Sequence, residues 1–358
     1  MSANLNNITN TENQNEMNKN ATNKTKHHVF LRILLVMLTA LLALVICIII
    51  GARIYFRTPA KDYYKHSQKA FLIPDIDNDF IPQGLAYNEN DGYFLITGYM
   101  KDGSASPIYI ADKSGNIIST AKICDEKGIA FPCHAGGISV YEDFVYVAGC
   151  QDCTLHIYSY QEIKKGGEVK EIGSFVTKVS DEDYLNIDCT TIYDGKIILG
   201  EFFREENYQT LPSHKITTSG GDYNQAIALV FELGDYKNTY GINPTPLAAY
   251  SMGDQVQGMA IYHNMFYTSS SYGVASSSIK AYAMDSTKEN NISILGFENI
   301  PLYELDSSCM NAEFILPPMA EEIEFVDGKF YTMCESASNK YIFGKLTSHK
   351  YCYCTELY

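Results

Sequence analysis

The chain has 358 residues, 46% of them hydrophobic and 19% charged, with 28 Tyr and no Trp. Residues 1–57 hold six Lys/Arg and two Asp/Glu, which leaves 21 basic and 40 acidic residues beyond them and a formal charge of −19 there. So acidic a domain repels phosphate backbones, which excludes nucleic acid from the expected partners.

Residues 1–28 are rich in Asn, Thr, Glu and Lys and almost free of apolar side chains, so they predict a disordered polar tail. The uncharged run ILLVMLTALLALVICIII (33–50), extended by Gly51 and Ala52, is long enough to cross a bilayer as a helix, and 29–56 reads as a transmembrane signal anchor. Lys24, Lys26 and Arg32 before it nearly balance Arg53, Arg57 and Lys61 after it. Orientation then follows from the position of a single early span before a large domain, with the N-terminus cytoplasmic and the domain outside the cell membrane. Residues 57–67 read as a juxtamembrane linker and 68–358 as the ectodomain. Nine cysteines lie in that ectodomain, an odd number that cannot all pair internally. Cys124 and Cys133 flank one short loop and could bridge, and Cys150 and Cys153 form a single CxxC.

Five stretches of the ectodomain repeat one phrase: 81–99, 135–149, 188–202, 256–270 and 320–336. Each is an apolar strand, a turn of Asp, Asn or Gly, and a second strand of β-branched and aromatic residues, which is a β-hairpin signature. Recurrence every ~50–70 residues predicts an all-β fold, a five-bladed β-propeller with one such hairpin per blade. A six-bladed ring would need a sixth phrase. Third strands follow at 107–113, 155–163, 226–233, 278–285 and 349–357, and fourth strands at 117–123, 171–177, 246–252 and 301–307. The fifth blade runs out of chain, so 68–74 is expected to complete it and lock the ring.

In such a ring the starts of the inner strands and the ends of the second strands share one face. That gathers Gln83, His134, Asp188, Gln257, Glu321 and Glu322 with Glu201 and Glu335 at the channel mouth. Loops 203–225 and 337–348 are expected to wall it with Tyr208, His214, Lys215, Asn339, Lys340 and Tyr341. Strand alternation lets only one of Glu321 and Glu322 face the channel. Gly136 and Gly137 are expected where inner strands crowd together. Carboxylates, amides and an imidazole converging on one axis can bind a polar ligand such as an envelope glycan or a peptide. Asp188 with Glu321 or Glu322 could hold Ca²⁺, and paired carboxylates could hydrolyse a glycoside. A scaffold without a small ligand is the further alternative.

The phrases FIPQGLAY (80–87), GYMKDGSAS (98–106), HAGGI (134–138), GEFFREENYQT (200–210), VQGMAIY (256–262) and ESASNKY (335–341) resemble an uncharacterised family of bacterial membrane-anchored or secreted propeller proteins. That resemblance implies the fold and a bacterial surface location. At superfamily level the chain looks like calcium-dependent lactonase and strictosidine-synthase-like propellers, which implies a metal at the channel mouth held by Glu, Asn and Asp at inner-strand starts. Asp188 and Glu321 or Glu322 stand at comparable places. Gln83 and Gln257 replace expected carboxylate or Asn ligands, and the count is five blades rather than six.

Overall fold

The computed structural model describes residues 2–341, 344–347 and 350–356. It divides into two compact units, Met1–Ile54 and Tyr55–Tyr358. The first belongs to a single helix, α1 (Ser2–Arg57). From Met17 to Arg57 this helix is long and apolar enough to cross a membrane, and none of its apolar window is buried against protein. Length and composition fit a membrane span and a signal sequence alike.

The second unit is a five-bladed propeller. Blade I is built from Phe80–Asn88, Tyr93–Met100, Pro107–Ala111 and Ile117–Cys124. Blade II follows with Ile138–Tyr141, Phe144–Val147, Thr154–Ser159 and Gly173–Val176. Blade III holds Ile187–Tyr193, Lys196–Glu201, Ala226–Leu233 and Ile242–Met252. Blade IV holds Val256–Tyr262, Met265–Ser270, Ser277–Ala283 and Met310–Leu316. Blade V joins Ala320–Val326, Lys329–Cys334 and Tyr351–Glu356 to Ser67–Leu72 from the start of the ring. Phe71 pairs with Cys352 in that last ladder, so the expected closure by the N-terminal strand is what the chain does.

Packing explains why the ring closes. Five buried apolar clusters fill the five gaps between successive blades. Leu95 and Ile110 of blade I meet Val145 and Val147 of blade II. Tyr146 and Leu155 meet Ile197 and Phe231 of blade III. Ile198 and Val230 meet Met259 and Phe266 of blade IV. Ile279 and Phe314 meet Ile323 and Phe330 of blade V. Phe71 and Cys352 meet Phe94 and Ile96 of blade I. No blade buries both faces without its two neighbours, so the stabilising area exists only in the closed ring.

The fourth strand of blade IV corrects the sequence expectation. PLYELDS (301–307) does not serve there. Phe297–Glu304 pairs in parallel with Ile242–Met252 and antiparallel with Lys288–Ile294, extending blade III to six strands. Ile292, Ile294, Ile300 and Leu302 pack into the same cluster as Phe231, which gives this excursion its driving force. Met310–Leu316 takes the vacated place, burying only Phe314 and Leu316 of its seven residues. Blade I likewise gains a parallel fifth strand, Gly167–Lys170. The third strand of blade II is shorter than expected, because a helix, α2 (Tyr160–Lys165), begins where the Ser159 hydroxyl accepts the N–H of Glu162 at 3.3 Å.

Within residues 57–67, Lys61–His66 is helical. Its Tyr63 is fully buried, packs on Phe330, and shares a 2.7 Å hydrogen bond with the Thr332 hydroxyl.

Candidate functional site

The inner strands are not regular where they begin. Their pairing slips between Pro82 and Leu85, Ile187 and Cys189, Val256 and Gly258, and Ala320 and Ile323. The skipped residues include Gln83, Asp188, Gln257, Glu321 and Glu322. A bulge re-aims the side chain it carries, and here each bulge sits at the channel mouth. In blade II the same place is irregular backbone, with Ala135 at φ 50° before Gly136 and Gly137. A Cβ on Gly137 would lie 2.8 Å from the Cα of Cys189, so only glycine lets these inner strands approach, as expected.

A cavity of about 330 Å³ opens at this end of the ring. Gln83, His134, Asp188, Gln257 and Met319 reach it from the inner-strand starts of all five blades. Gln151, Phe202, Tyr208, Ser271, Tyr272, Glu335, Lys340 and Tyr341 reach it from the ends of second strands and the loops beyond them. Of the residues expected at the mouth, Gln83, His134, Asp188, Gln257 and Glu335 therefore share one cavity, with Tyr208, Lys340 and Tyr341 among its walls. Residues 342, 343, 348 and 349, within or beside the expected 337–348 wall, lie outside the described residues.

Glu201 does not line the cavity. It is fully buried, 2.9 Å from His214 Nδ1, and accepts the Ile227 N–H at 3.3 Å. His214, expected in the wall, is thereby the buried pin of loop 203–225. The reason is strand parity. Glu201 pairs with Ile187, and its counterpart in blade V is Cys334, which pairs with Ala320. Glu335 comes one residue later and so corresponds to Phe202. The same offset identifies Ser271, one residue past the strand Met265–Ser270. Phe202 and Ser271 were thus findable by the positional rule, had the strand ends been known to one residue.

The Glu321–Glu322 doublet also departs from expectation. Because the bulge breaks the alternation, both carboxyls are turned away from solvent. Glu322 accepts the backbone N–H of Leu85 at 2.8 Å, of Ile138 at 3.2 Å and of Thr190 at 3.4 Å. Glu321 has Glu335, Asp188 and Lys340 as its charged neighbours, and its Oε1 has no hydrogen-bond partner among the described residues. Among those residues, no three His, Cys, Asp or Glu side chains group as metal ligands. Glu322, one of the expected Ca²⁺ ligands, is committed to backbone amides.

The site is electrostatically unusual. Burial pushes Asp188 up to about 7, with no donor among the described residues to oppose it. Burial also pushes Glu335 up to about 7, against a hydrogen bond from Tyr341, the Lys340 charge and the Gln83 amide at 3.0 Å. Glu321 is raised by burial and then by the neighbouring Glu335 and Asp188 carboxyls. His134 stacks on Tyr99 at 4.9 Å and is pushed down to about 4 by burial and Lys340, so it is neutral at pH 7. Lys340 lies over the rings of Tyr99 and Tyr341 and hydrogen-bonds the Tyr99 hydroxyl. The cavity therefore offers carboxyls that exchange protons near neutrality, the three amides of Gln83, Gln151 and Gln257, a neutral imidazole, one ammonium and several aromatic faces.

No protein-family model and no curated protein matches the chain. Among solved structures it is similar to a glutaminyl cyclase of Myxococcus xanthus, at 9% identity and TM-score 0.40 over 81% of this chain and 94% of that one. It is also similar to BamB of Moraxella catarrhalis, at 8% identity and TM-score 0.32 over 71% and 82% of the two chains. A third similarity is to a nidogen/laminin complex, at 9% identity and TM-score 0.36 over 72% and 73%. The chain is a β-propeller with an apolar N-terminal helix, and no narrower family is assigned to it.

Proposed function

We propose that this chain is a single-pass membrane protein whose propeller, held outside the cytoplasm, binds a polar, hydroxyl-rich ligand such as an envelope glycan in the channel-mouth cavity. The carrying observation is the open hydrogen-bonding capacity there: the Asp188 carboxyl in the cavity wall lacks a donor among the described residues, as does Oε1 of Glu321, a buried neighbour of Asp188 and Glu335 that does not itself line the cavity. A buried acceptor without a donor costs about 1–3 kcal/mol, a cost that ligand hydroxyls would relieve. Phe202, Tyr208 and Tyr272 supply flat faces on which a sugar ring can stack.

Titration of the full-length protein with envelope glycan fragments tests this reading. Wild type should bind, and Asp188→Ala and Glu321→Ala should each weaken binding about tenfold or more, the equivalent of ~1.4 kcal/mol. Unchanged affinity in both variants would place the ligand elsewhere. Protease accessibility of the ring in intact cells tests the orientation.

One observation favours a second reading, acid–base hydrolysis of the bound ligand. Asp188 and Glu335 both sit near 7, where a carboxyl can give and take protons at neutral pH. Release of reducing ends from glycan substrates, lost in Asp188→Asn and Glu335→Gln, would support it. Binding without turnover would remove it.

A further inference from the structure

A second cavity, of about 460 Å³, opens where the inner strands end. Its wall comes from the last residues of the inner strands of blades I, II, III and V and from the hairpin turns after the first three. The carboxyl of Glu322 lies between this cavity and the channel mouth, holding the N–H groups of Leu85, Ile138 and Thr190. Along blade I, Gln83 of the first cavity precedes Leu85 and Ala86 of the second follows it. The same order holds around Ile138, Thr190 and Glu322, so the two cavities are separate sites at opposite ends of the ring.

Two kinds of side chain make up the wall. Tyr87, Tyr141, Tyr193 and Phe325 bring aromatic rings. Glu89, Glu142, Asp194 and Glu324 bring carboxyls, one from each of the four blades. No Lys, Arg or His stands among the described lining residues. Lys196 reaches Asp194 from outside the wall, at 3.1 Å. Glu324 accepts the N–H of its chain neighbour Phe325 at 2.9 Å. Burial pushes Glu324 up to about 8 against that bond and the Tyr87 N–H, and no cation stands among the groups that set its proton affinity. The rings are suited to positive charge: Lys113 Nζ already lies over Tyr87, 5.1 Å from the ring centroid.

The spacing of the carboxyls selects the kind of cation. They belong to different blades, and among the described residues no three His, Cys, Asp or Glu side chains group as metal ligands. A Ca²⁺ ion needs six to eight oxygens within about 2.6 Å, so it would leave most of this wall unused. A chain of methylenes carrying several ammonium groups can meet separated carboxyls while lying against flat rings. The volume is in the range of small-molecule sites, about 300–1,000 Å³.

We propose that the far-end cavity binds a linear aliphatic polyamine, its ammonium groups on Glu89, Glu142, Asp194 and Glu324 and its methylenes against Tyr141, Tyr193 and Phe325. No residue of the channel-mouth cavity takes part, so the proposal stands or falls apart from the glycan reading.

Isothermal titration of the full-length protein in neutral detergent with spermidine tests it. Saturable binding is expected, weakened about tenfold or more by Glu324→Gln and by Glu142→Gln, the equivalent of ~1.4 kcal/mol each. Glu298→Gln, which removes the same charge from an exposed position outside the cavity, should leave the affinity unchanged. Glu142 is exposed on its turn, so its variant keeps the test intact if Glu324→Gln misfolds. Absence of saturable binding overturns the proposal. Equal weakening by all three variants also overturns it, because the general acidic field would then account for the attraction. Displacement of spermidine by Ca²⁺ at matched ionic strength overturns it in favour of a metal ion.

Discussion

Glu322 of blade V and Leu85 of blade I are joined across the channel by a 2.8 Å hydrogen bond from the Leu85 N–H to Glu322 Oε2. The same carboxyl takes N–H groups from Ile138 in blade II and Thr190 in blade III. One side chain thus ties its own inner strand to three others at a depth where water cannot replace it. Burial raises its pKa and the three N–H groups oppose that rise.

Glu322→Ala should therefore destabilise the ring strongly. Each amide left unpaired costs about 1–3 kcal/mol, so a loss of at least ~3 kcal/mol is expected in urea unfolding of the full-length protein. Glu322→Gln, which keeps an acceptor oxygen, should lose less. Equal and small effects of the two substitutions would show that the carboxyl is not a tie between blades.

Stability should fall as pH rises through neutrality. Asp188 and Glu335 are pushed by burial up to about 7, and Glu324 up to about 8, from ordinary values of 3.8 for Asp and 4.5 for Glu. Between the unfolded and folded values the native state holds more protons than the unfolded chain. The contribution to stability is therefore fully present below the unfolded pKa and lost as pH climbs to the folded one. The urea midpoint is expected to drop between about pH 5 and about pH 8, and Asp188→Asn should flatten the drop. A wild-type midpoint that rises over this interval would contradict the assignment.

Phe71 carries the closure of the ring. It is 3% exposed, pairs with Cys352 and meets the Phe94 ring at 5.2 Å. Phe71→Ala should cost about 3–5 kcal/mol. Because the closing strand is the N-terminal one, hydrogen exchange should quicken first in Ser67–Leu72 and Tyr351–Glu356. Uniform loss of protection across all blades would argue against a local latch.

Loop 203–225 should depend on His214. Removing the imidazole leaves Glu201 buried with the Ile227 N–H as its remaining partner. His214→Ala is expected to cost about 1–3 kcal/mol and to make this loop the earliest site of limited proteolysis. An unchanged cleavage map would mean the loop is held by other contacts.

Much of this was readable before any coordinates. The hairpin phrase, with its period-two pattern and turn residues, supplied five blades, and the missing last strand pointed to 68–74. Counting strands alone expects Gln83, His134, Asp188, Gln257, Glu321, Glu322, Glu201 and Glu335 at one mouth, and the cavity is lined by Gln83, His134, Asp188, Gln257 and Glu335 of these. What stayed hidden was one-residue information. Bulges at the inner-strand starts turn both Glu321 and Glu322 inward, against simple alternation. A one-residue parity sends Glu201 to His214 and brings Phe202 into the cavity. Residues 301–307 read as a strand of blade IV because their apolar alternation suits any blade edge, and only packing beside Phe231 chooses blade III.

The sequence by itself determined the repeat, the blade count, the closing strand and the apolar N-terminal helix, because each rests on local periodicity and on backbone groups that must pair. Tertiary structure decided which carboxyls stay solvated, which tie blades together and which are left without donors. That division is physical: strand period follows from neighbouring residues, whereas the burial that lifts Asp188, Glu321 and Glu335 exists only when five separate strand ends meet.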